Sequence, residues 1–223
     1  MAASLLYLRD GARRRSLPTT VYVPQSGPRA PLVLFAHGML GHPRKFTRLF
    51  AHWVGAGYVV AAPEFPLTSD GNTPPHAMAD VVNQPADLSF VLDELLGRGV
   101  GDRHRIGVGG YSLGAETALA VGLHPRFADP RIRAVVALVG ALAHPCFATN
   151  ELRSLPLLLV HGTGDKERRV CESLALYEAA EEPKELVALD GAGHGICQDD
   201  AEPRHVVQVA EVTTAFWNRY LQT

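Results

Sequence analysis

The chain has 223 residues, of which 47% are hydrophobic and 20% charged, and its formal net charge is −2 at pH 7. This composition is ordinary for a globular domain, and the nearly balanced charge argues against a nucleic-acid partner. The longest apolar stretch, residues 134–143, is about half as long as a membrane span needs, so no membrane span is predicted.

Predicted strands and helices alternate along almost the whole chain. A β-rich segment at residues 18–24 is expected to pair antiparallel with residues 5–8, and the basic run Arg13-Arg14-Arg15 that precedes it is interpreted as a solvated hairpin turn. The further predicted strands lie at residues 31–36, 58–62, 105–109, 132–139, 155–160 and 184–189. The predicted helices lie at residues 43–55, 80–96, 115–121, 167–180 and 203–221.

Apolar strands that alternate with helices are typical of the α/β class, with a doubly wound, mostly parallel sheet and helices on both faces. The length suits a single domain over residues 1–223, without an internal repeat or a linker. Two irregular segments interrupt the alternation, at residues 63–79 and 140–154. The second is too short for a large cap domain, so we expect a shallow, open cleft.

The segment Gly110-Tyr111-Ser112-Leu113-Gly114 matches the pattern G-x-S-x-G between a predicted strand and a predicted helix. A reversal within so few residues strains the backbone of the central serine, and flanking glycines permit it. Ser112 is then expected to present its hydroxyl at a helix N-terminus, where developing negative charge is favoured. The pattern alone also fits a turn that only packs. A dinucleotide-binding loop is disfavoured, because a serine stands where that motif needs its third glycine.

Polar residues follow other predicted strands, and the carboxyl ends of parallel strands meet at one edge of a sheet. Asp165 follows the strand at 155–160, and His194 follows the strand at 184–189 with a glycine on either side. A serine nucleophile needs an imidazole to take its proton, and the imidazole needs a carboxylate to orient it. Ser112, His194 and Asp165 are therefore the predicted nucleophile, base and orienting acid. The competing candidates for the acid are Asp190, Asp199 and Asp200.

Stabilisation of a developing oxyanion needs two backbone N–H groups. Leu113, directly after the serine, and Met39, in the loop after the strand at 31–36, are predicted to provide them. His37 is predicted to support that loop, and Glu64 and Glu116 are predicted to be structural. The two irregular segments supply candidate apolar walls for the cleft, each of which is also compatible with ordinary packing: Phe65, Leu67, Met78, Leu142 and Phe147.

Taken together, these motifs resemble the α/β-hydrolase superfamily. A strand leads to His37-Gly38-Met39-Leu40-Gly41, and a long loop, the G-x-S-x-G turn, an aspartate and a glycine-flanked histidine follow in that order over nearly the whole chain. Residues 15–24 resemble the corresponding segment of dienelactone-hydrolase-like and platelet-activating-factor-acetylhydrolase-like esterases. The resemblance implies an α/β-hydrolase fold and a metal-free serine esterase with Ser112, Asp165 and His194 as its triad.

Two positions depart from the pattern of these relatives. Dienelactone hydrolase itself uses a cysteine as nucleophile, where this chain has Ser112, so its substrate is not carried over. The glycine that often follows G-x-S-x-G is replaced here by Ala115.

We therefore expect hydrolysis of carboxylic esters with short- to medium-chain acyl groups through an acyl-enzyme. An acyltransferase or an amide or thioester hydrolase with the same triad is the alternative, followed by a non-catalytic binding protein on a hydrolase scaffold. No cofactor and no metal are expected, because the sequence has neither an H-E-x-x-H nor a C-x-x-C motif. The expected partner is a small-molecule ester, and the expected state is a monomer or a small homo-oligomer.

Cysteines and the N-terminus bear on the compartment. Cys146, Cys171 and Cys197 cannot all pair within one chain, and a single bridge between Cys146 and Cys197 is an open alternative to three free thiols. Residues 1–8 are too short for a signal peptide and lack its preceding positive charges. We expect a cytoplasmic protein, although an export signal removed before residue 1 would leave no trace in this sequence.

Overall fold

The computed structural model of the chain describes residues 2–70, 74, 77–149 and 151–222, and eight strands in these residues form one sheet. The strands are β1 (Ala2–Asp10), β2 (Arg15–Val23), β3 (Leu32–Ala36), β4 (Val59–Pro63), β5 (Ile106–Tyr111), β6 (Ile132–Leu138), β7 (Leu157–Gly162) and β8 (Lys184–Leu189). The α-helices are α1 (Thr47–Gly55), α2 (Gln84–Gly97), α3 (Leu113–Leu123), α4 (Val170–Ala179) and α5 (Pro203–Leu221). Shorter 3₁₀ segments lie at Pro43–Phe46, Ala77–Asn83 and Pro145–Phe147.

The sheet has the strand order β1-β2-β4-β3-β5-β6-β7-β8. β1 and β2 form an antiparallel hairpin, as the N-terminal pattern predicts, and β2 also pairs antiparallel with β4. Every pairing from β4 to β8 is parallel. The carboxyl ends of these parallel strands therefore share one edge, and the loops that follow them can bring their polar residues together there.

Successive residues of β3 show why helices cover both faces of the sheet. Leu32 and Leu34 pack in one buried cluster with residues of α2, α3 and α4, whereas Val33 and Phe35 pack in a second cluster with residues of α1 and α5. Side chains alternate between the two faces of a strand, so a strand that is apolar throughout needs cover on both sides. The predicted doubly wound, mostly parallel sheet is confirmed.

Three predicted helices begin later in the structure than in the sequence prediction. The helix predicted at residues 43–55 starts as the 3₁₀ segment Pro43–Phe46 and is α-helical only from Thr47. The segment predicted at residues 80–96 is a 3₁₀ segment followed by α2, and a proline in the first turn of α2 marks its start. The helix predicted at residues 167–180 begins only at Val170. Arg169 has an extended backbone, with φ −80° and ψ 137°, so the helix begins after it, and the amides of Glu167 and Arg168 donate to the carboxylate of Asp165 in the preceding turn.

The basic run in the first hairpin is not simply solvated, so that interpretation was wrong for two of its three residues. The guanidinium of Arg15 binds Asp80 at 2.8 Å and Asp87 at 2.5 Å, and only 12% of the Arg15 side chain is exposed. Arg13 also binds Asp87, at 2.8 Å. These acids lie on Ala77–Asn83 and α2, so the hairpin is fastened to the segment that leads into α2. A charge pattern within the hairpin cannot reveal partners so far along the chain.

The three cysteines are free, and Cys197 is buried, so a bridge between Cys146 and Cys197 is not realised. Among the helices of the described ranges, none combines the length and the apolar character needed to cross a bilayer.

Candidate active site

The turn from β5 to α3 carries Ser112 in a backbone conformation that non-glycine residues rarely adopt, with φ 54° and ψ −118°. Its flanking glycines are required by close contacts. A Cβ on Gly110 would lie 2.0 Å from the carbonyl oxygen of Gly114, and a Cβ on Gly114 would lie 2.1 Å from the carbonyl oxygen of Ala36. The glycines thus let α3 begin directly against β5 and β3, and Ser112 stands at the helix N-terminus as the motif predicts.

Ser112, His194 and Asp165 are brought together by the structure from three different loops. The Oγ atom of Ser112 lies 2.9 Å from Nε2 of His194, and Nδ1 of the same ring lies 2.7 Å from Oδ2 of Asp165. A carboxylate only accepts hydrogen bonds, so Nδ1 carries a proton and Nε2 is free to accept the serine proton. The chain of hydrogen bonds therefore runs from hydroxyl to carboxylate in the direction that activation of a serine requires.

The carboxylate of Asp165 is oriented and kept ionised by its own loop. Its Oδ1 atom accepts hydrogen bonds from the amides of Glu167 at 2.8 Å and Arg168 at 3.0 Å. Burial alone raises the pKa of Asp165, but these amide hydrogen bonds and the His194 imidazole outweigh it, and the pKa lies below its usual range. At neutral pH the group is a fixed negative charge behind the imidazole.

The competing acids have different roles or positions in the structure. Asp199 accepts hydrogen bonds from the amides of Thr47 and Arg48, at 3.1 and 2.9 Å, and so satisfies the N-terminus of α1. Asp190 is exposed and lies 3.4 Å from the hydroxyl of Thr163.

The loop after β3 lies directly against Ser112. A Cβ on Gly38 would lie 3.2 Å from the Cβ of Ser112, so a glycine permits the approach. The amide of Gly41 donates to the carbonyl of Gly38 at 3.0 Å and closes a tight turn that contains Met39. Leu113 is the first residue of α3. Within the described residues neither Met39 nor Leu113 donates its amide to another backbone group, so both remain candidates for binding an oxyanion.

His37 is fully enclosed beneath this loop and connects it to the segment after β4. Its Nδ1 donates to the carbonyl of Gly38 at 2.8 Å, and its Nε2 accepts from the amide of Phe65 at 3.2 Å. Burial lowers the pKa of His37 to about 4. The ring is therefore neutral at ordinary pH and supports the loop, as predicted from the sequence.

The low pKa of His37 makes part of the stability depend on pH. The unfolded chain binds this proton with a pKa of about 6.5, so the contribution of neutral His37 is complete above that pH and is lost as the pH falls towards 4. The variant His37→Asn keeps a donor near the Nδ1 position but cannot titrate. We expect its free energy of unfolding to fall by about 2–3 kcal/mol less than that of wild type between pH 7 and pH 4. Urea unfolding at several pH values measures this, with the exposed His104→Asn as control. Parallel curves for wild type and His37→Asn would contradict the assignment.

The predicted apolar walls divide into buried and accessible residues. Phe65 and Phe147 are completely buried, so as walls of an open cleft they were wrong; they fill the space beneath the two irregular segments. Leu67 and Leu142 are half-buried, and Leu142 packs with Met39 against a small cluster that contains Leu113 and Phe147. Met78 is 44% exposed. The accessible apolar surface nearest the serine turn therefore includes Met39 and Leu142.

Several residues around the site were not predicted from the sequence. The ring of Tyr111 lies 5.3 Å from that of His194, and the largely exposed carboxylate of Glu167 lies 3.8 Å from His194 Nε2. Glu116, predicted only as structural, is buried and binds both Arg168 and the amide of His144.

Among the described residues, no group of three or more His, Cys, Asp and Glu side chains is arranged to hold a metal ion.

Together, the strand order, the glycine-bounded serine turn and the loops at one sheet edge define an α/β-hydrolase. The sequence profile of the chlorophyllase family matches residues 10–147, which is more than half of the chain. The chain belongs to the chlorophyllase family, and it is a hydrolase. The matched region contains Ser112 and ends before Asp165 and His194. No curated protein matches the chain in sequence.

Solved structures with the same fold include several esterases. The esterase domain of a Rhodothermus marinus protein is 20% identical, with 99% of this chain and 100% of that chain covered and a TM-score of 0.73. A Klebsiella pneumoniae protein assigned as a dienelactone hydrolase is 19% identical, with 98% and 99% covered and a TM-score of 0.77. Esterase 2 of Thermogutta terrifontis, phosphorylated by paraoxon, is 20% identical, with 97% and 94% covered and a TM-score of 0.79. At these identities the likeness is one of fold.

Proposed function

We propose that this protein hydrolyses carboxylic esters through an acyl-enzyme, with Ser112 as nucleophile, His194 as general base and acid, and Asp165 as the orienting acid. One observation carries the proposal, namely the continuous hydrogen-bond chain from the Ser112 hydroxyl through His194 to Asp165. The serine also lies at the start of α3, where the helix dipole favours the negative charge that forms during attack.

The reaction runs in two halves. As Ser112 Oγ bonds to the ester carbonyl carbon, its proton passes to His194 Nε2, and the tetrahedral intermediate collapses with breakage of the bond to the alcohol oxygen. The leaving alcohol takes the proton from His194. Water then attacks the acyl-enzyme as His194 accepts its proton, and breakage of the acyl–Oγ bond returns that proton to Ser112 with release of the carboxylic acid. In both halves the amides of Met39 and Leu113 bind the oxyanion.

Short- to medium-chain acyl groups are the proposed substrates. Between β6 and β7 the described residues, 139–149 and 151–156, contain the 3₁₀ segment Pro145–Phe147 and no other helix or strand that could form a cap. Met39 and Leu142, which are among the accessible apolar side chains near the serine turn, suit a modest acyl group better than a long enclosed chain. The partner is then a small-molecule ester. A monomer or small homo-oligomer in the cytoplasm stays our prediction.

Labelling with paraoxon tests the nucleophile directly, since a fold neighbour, esterase 2 of Thermogutta terrifontis, is phosphorylated by this compound. We expect one phosphoryl group per chain, on the peptide that contains Ser112, with time-dependent loss of esterase activity. Ser112→Ala should abolish the label, whereas Ser154→Ala, at an exposed serine elsewhere on the surface, should keep it. An unlabelled active enzyme, or a label on another residue, would contradict the proposal.

A panel of p-nitrophenyl esters from acetate to laurate then tests the acyl preference. We expect kcat/KM to be highest between acetate and octanoate. The family name denotes action on chlorophyll, so chlorophyll belongs in the panel. Added alcohol distinguishes acyl transfer from hydrolysis by the share of acyl product that the alcohol captures. Matched amide and thioester substrates show whether the same triad cleaves those bonds faster than esters.

A further inference from the structure

A second histidine, His161 on β7, is fully buried and lies next to Asp165. Its Nε2 lies 3.0 Å from the carbonyl oxygen of Arg168 and 3.4 Å from Oδ2 of Asp165. A carbonyl oxygen can only accept a hydrogen bond, so Nε2 carries a proton and donates it. The other ring nitrogen lies 2.7 Å from the hydroxyl of Ser173. The ring cannot reach a substrate, because it has no exposed surface.

Arg168 is held through its amide, its carbonyl and its guanidinium, and the guanidinium also lies 3.5 Å from the carboxylate of Glu172. Its amide donates to Oδ1 of Asp165 at 3.0 Å, and its carbonyl accepts from His161. Its guanidinium binds the carboxylate of Glu116, which is buried in the first turn of α3 and also accepts the amide of His144 at 2.7 Å. The loop that carries Asp165 is thereby tied to the helix that begins directly after Ser112.

The start of the loop is held by backbone hydrogen bonds, because the amides of Thr163 and Gly164 donate to the carbonyls of Leu189 at 2.9 Å and Ala192 at 3.0 Å. Thr163, Gly164, Lys166, Glu167 and Arg169 are all exposed. After Asp165, the amides that bind its carboxylate belong to Glu167 and Arg168, and Arg168 is in turn held by His161 and Glu116. A misplacement of about 1 Å in a catalytic group can cost about 10²-fold in rate, so loss of the contacts that hold Arg168 is expected to lower the rate.

We propose that His161, together with the Arg168–Glu116 ion pair, positions Asp165 for catalysis by fixing the backbone of its loop relative to α3. The inference rests on the proposed function, because it gives these residues no role apart from the alignment of Asp165 with His194. They are positioning residues and touch no substrate.

Two substitutions of His161 separate positioning from packing. Glutamine can place its amide nitrogen near the position of Nε2 and keep the donor to the Arg168 carbonyl, whereas leucine fills the space without a donor. We expect His161→Leu to lower kcat by about 10²-fold with a small change in KM. His161→Gln should remain within about tenfold of wild type. The matched control is His124→Leu, which removes a buried histidine at the far end of α3.

The pH dependence of the rate gives a readout that a purely structural role would not move. A misaligned Asp165 stabilises the protonated imidazole of His194 less than an aligned one does. The acid limb of the kcat/KM profile should therefore move to lower pH in His161→Leu. In His161→Gln it should stay where it is in wild type. Equal activity losses in both variants, with the wild-type pH profile and lowered thermal stability, would show a packing role and overturn the inference. Wild-type activity in His161→Leu would overturn it as well.

Glu116→Gln provides an independent test if His161→Leu does not fold. Glutamine keeps the size of the side chain and can still accept the His144 amide, but it weakens the bond to Arg168. We expect kcat to fall about tenfold with the same shift of the acid limb. An unchanged kcat and an unchanged pH profile would overturn the proposed positioning role of the Arg168–Glu116 ion pair. Paraoxon labelling distinguishes this failure from failure of the proposed function. If wild type is labelled at Ser112 while the His161 and Glu116 variants keep the wild-type kcat and pH profile, only the positioning role is wrong.

Discussion

Ser112→Ala is expected to lower kcat for p-nitrophenyl acetate by about 10⁴–10⁶-fold. In the proposed mechanism the substitution removes the atom of the protein that bonds to the substrate carbon, while His194, Asp165 and the amides proposed to bind the oxyanion stay in place. Residual rate above the uncatalysed reaction should remain, because binding and oxyanion stabilisation do not depend on the hydroxyl. Steady-state kinetics with a burst measurement for wild type give the comparison.

The same substitution should leave the fold intact. Alanine has the same Cβ as serine, so it adopts the φ of 54° at a similar backbone cost, and the amide of residue 112 still donates to Leu138. We expect the melting temperature to stay within a few degrees of wild type. Ser154→Ala controls for loss of a serine elsewhere. A Ser112→Ala protein that kept most of its turnover would refute the assignment of the nucleophile.

Asp165→Asn is expected to lower kcat by about 10⁴-fold, the loss known for the equivalent change in a serine protease triad. The structure gives a specific reason. Oδ1 of Asp165 accepts two amide hydrogen bonds, from Glu167 and Arg168, so the oxygen of an asparagine must face those amides. Its NH₂ group then points at Nδ1 of His194 and forces the imidazole proton onto Nε2. In that tautomer Nε2 cannot accept the proton of Ser112.

Asp190→Asn is the matched control, because Asp190 was one of the competing acids in the sequence and is exposed in the structure. We expect its kcat to change less than about threefold, in line with the small effects of surface substitutions. The two variants should be compared by kcat across the pH range, with paraoxon labelling rates as a second measure of serine reactivity. The assignment fails if Asp190→Asn is the more damaged enzyme, or if Asp165→Asn retains wild-type kcat.

The order of the elements was predictable because it depends on local patterns. β-rich and continuous apolar runs identified the strands, and β5 and α3 flank the serine turn as the glycines indicated. Predictions failed where distant groups compete for the same backbone or the same space. α4 starts late because Arg169 is extended, and Phe65 is buried because it packs in the core and against the ring of His37.

The sequence by itself determined the hydrolase class of the fold and the three candidate catalytic residues, since each follows a strand and glycines mark each turn. Only the tertiary structure decided how those residues are held. Glu116 and Arg168 lie 52 positions apart, and Arg15 lies 72 positions from Asp87, yet each pair forms a largely buried ion pair. Such contacts arise from strand order and helix placement across the sheet. The spacing of apolar residues along the chain indicates which face of a helix or strand a residue occupies. It does not indicate which residue of another element that residue contacts.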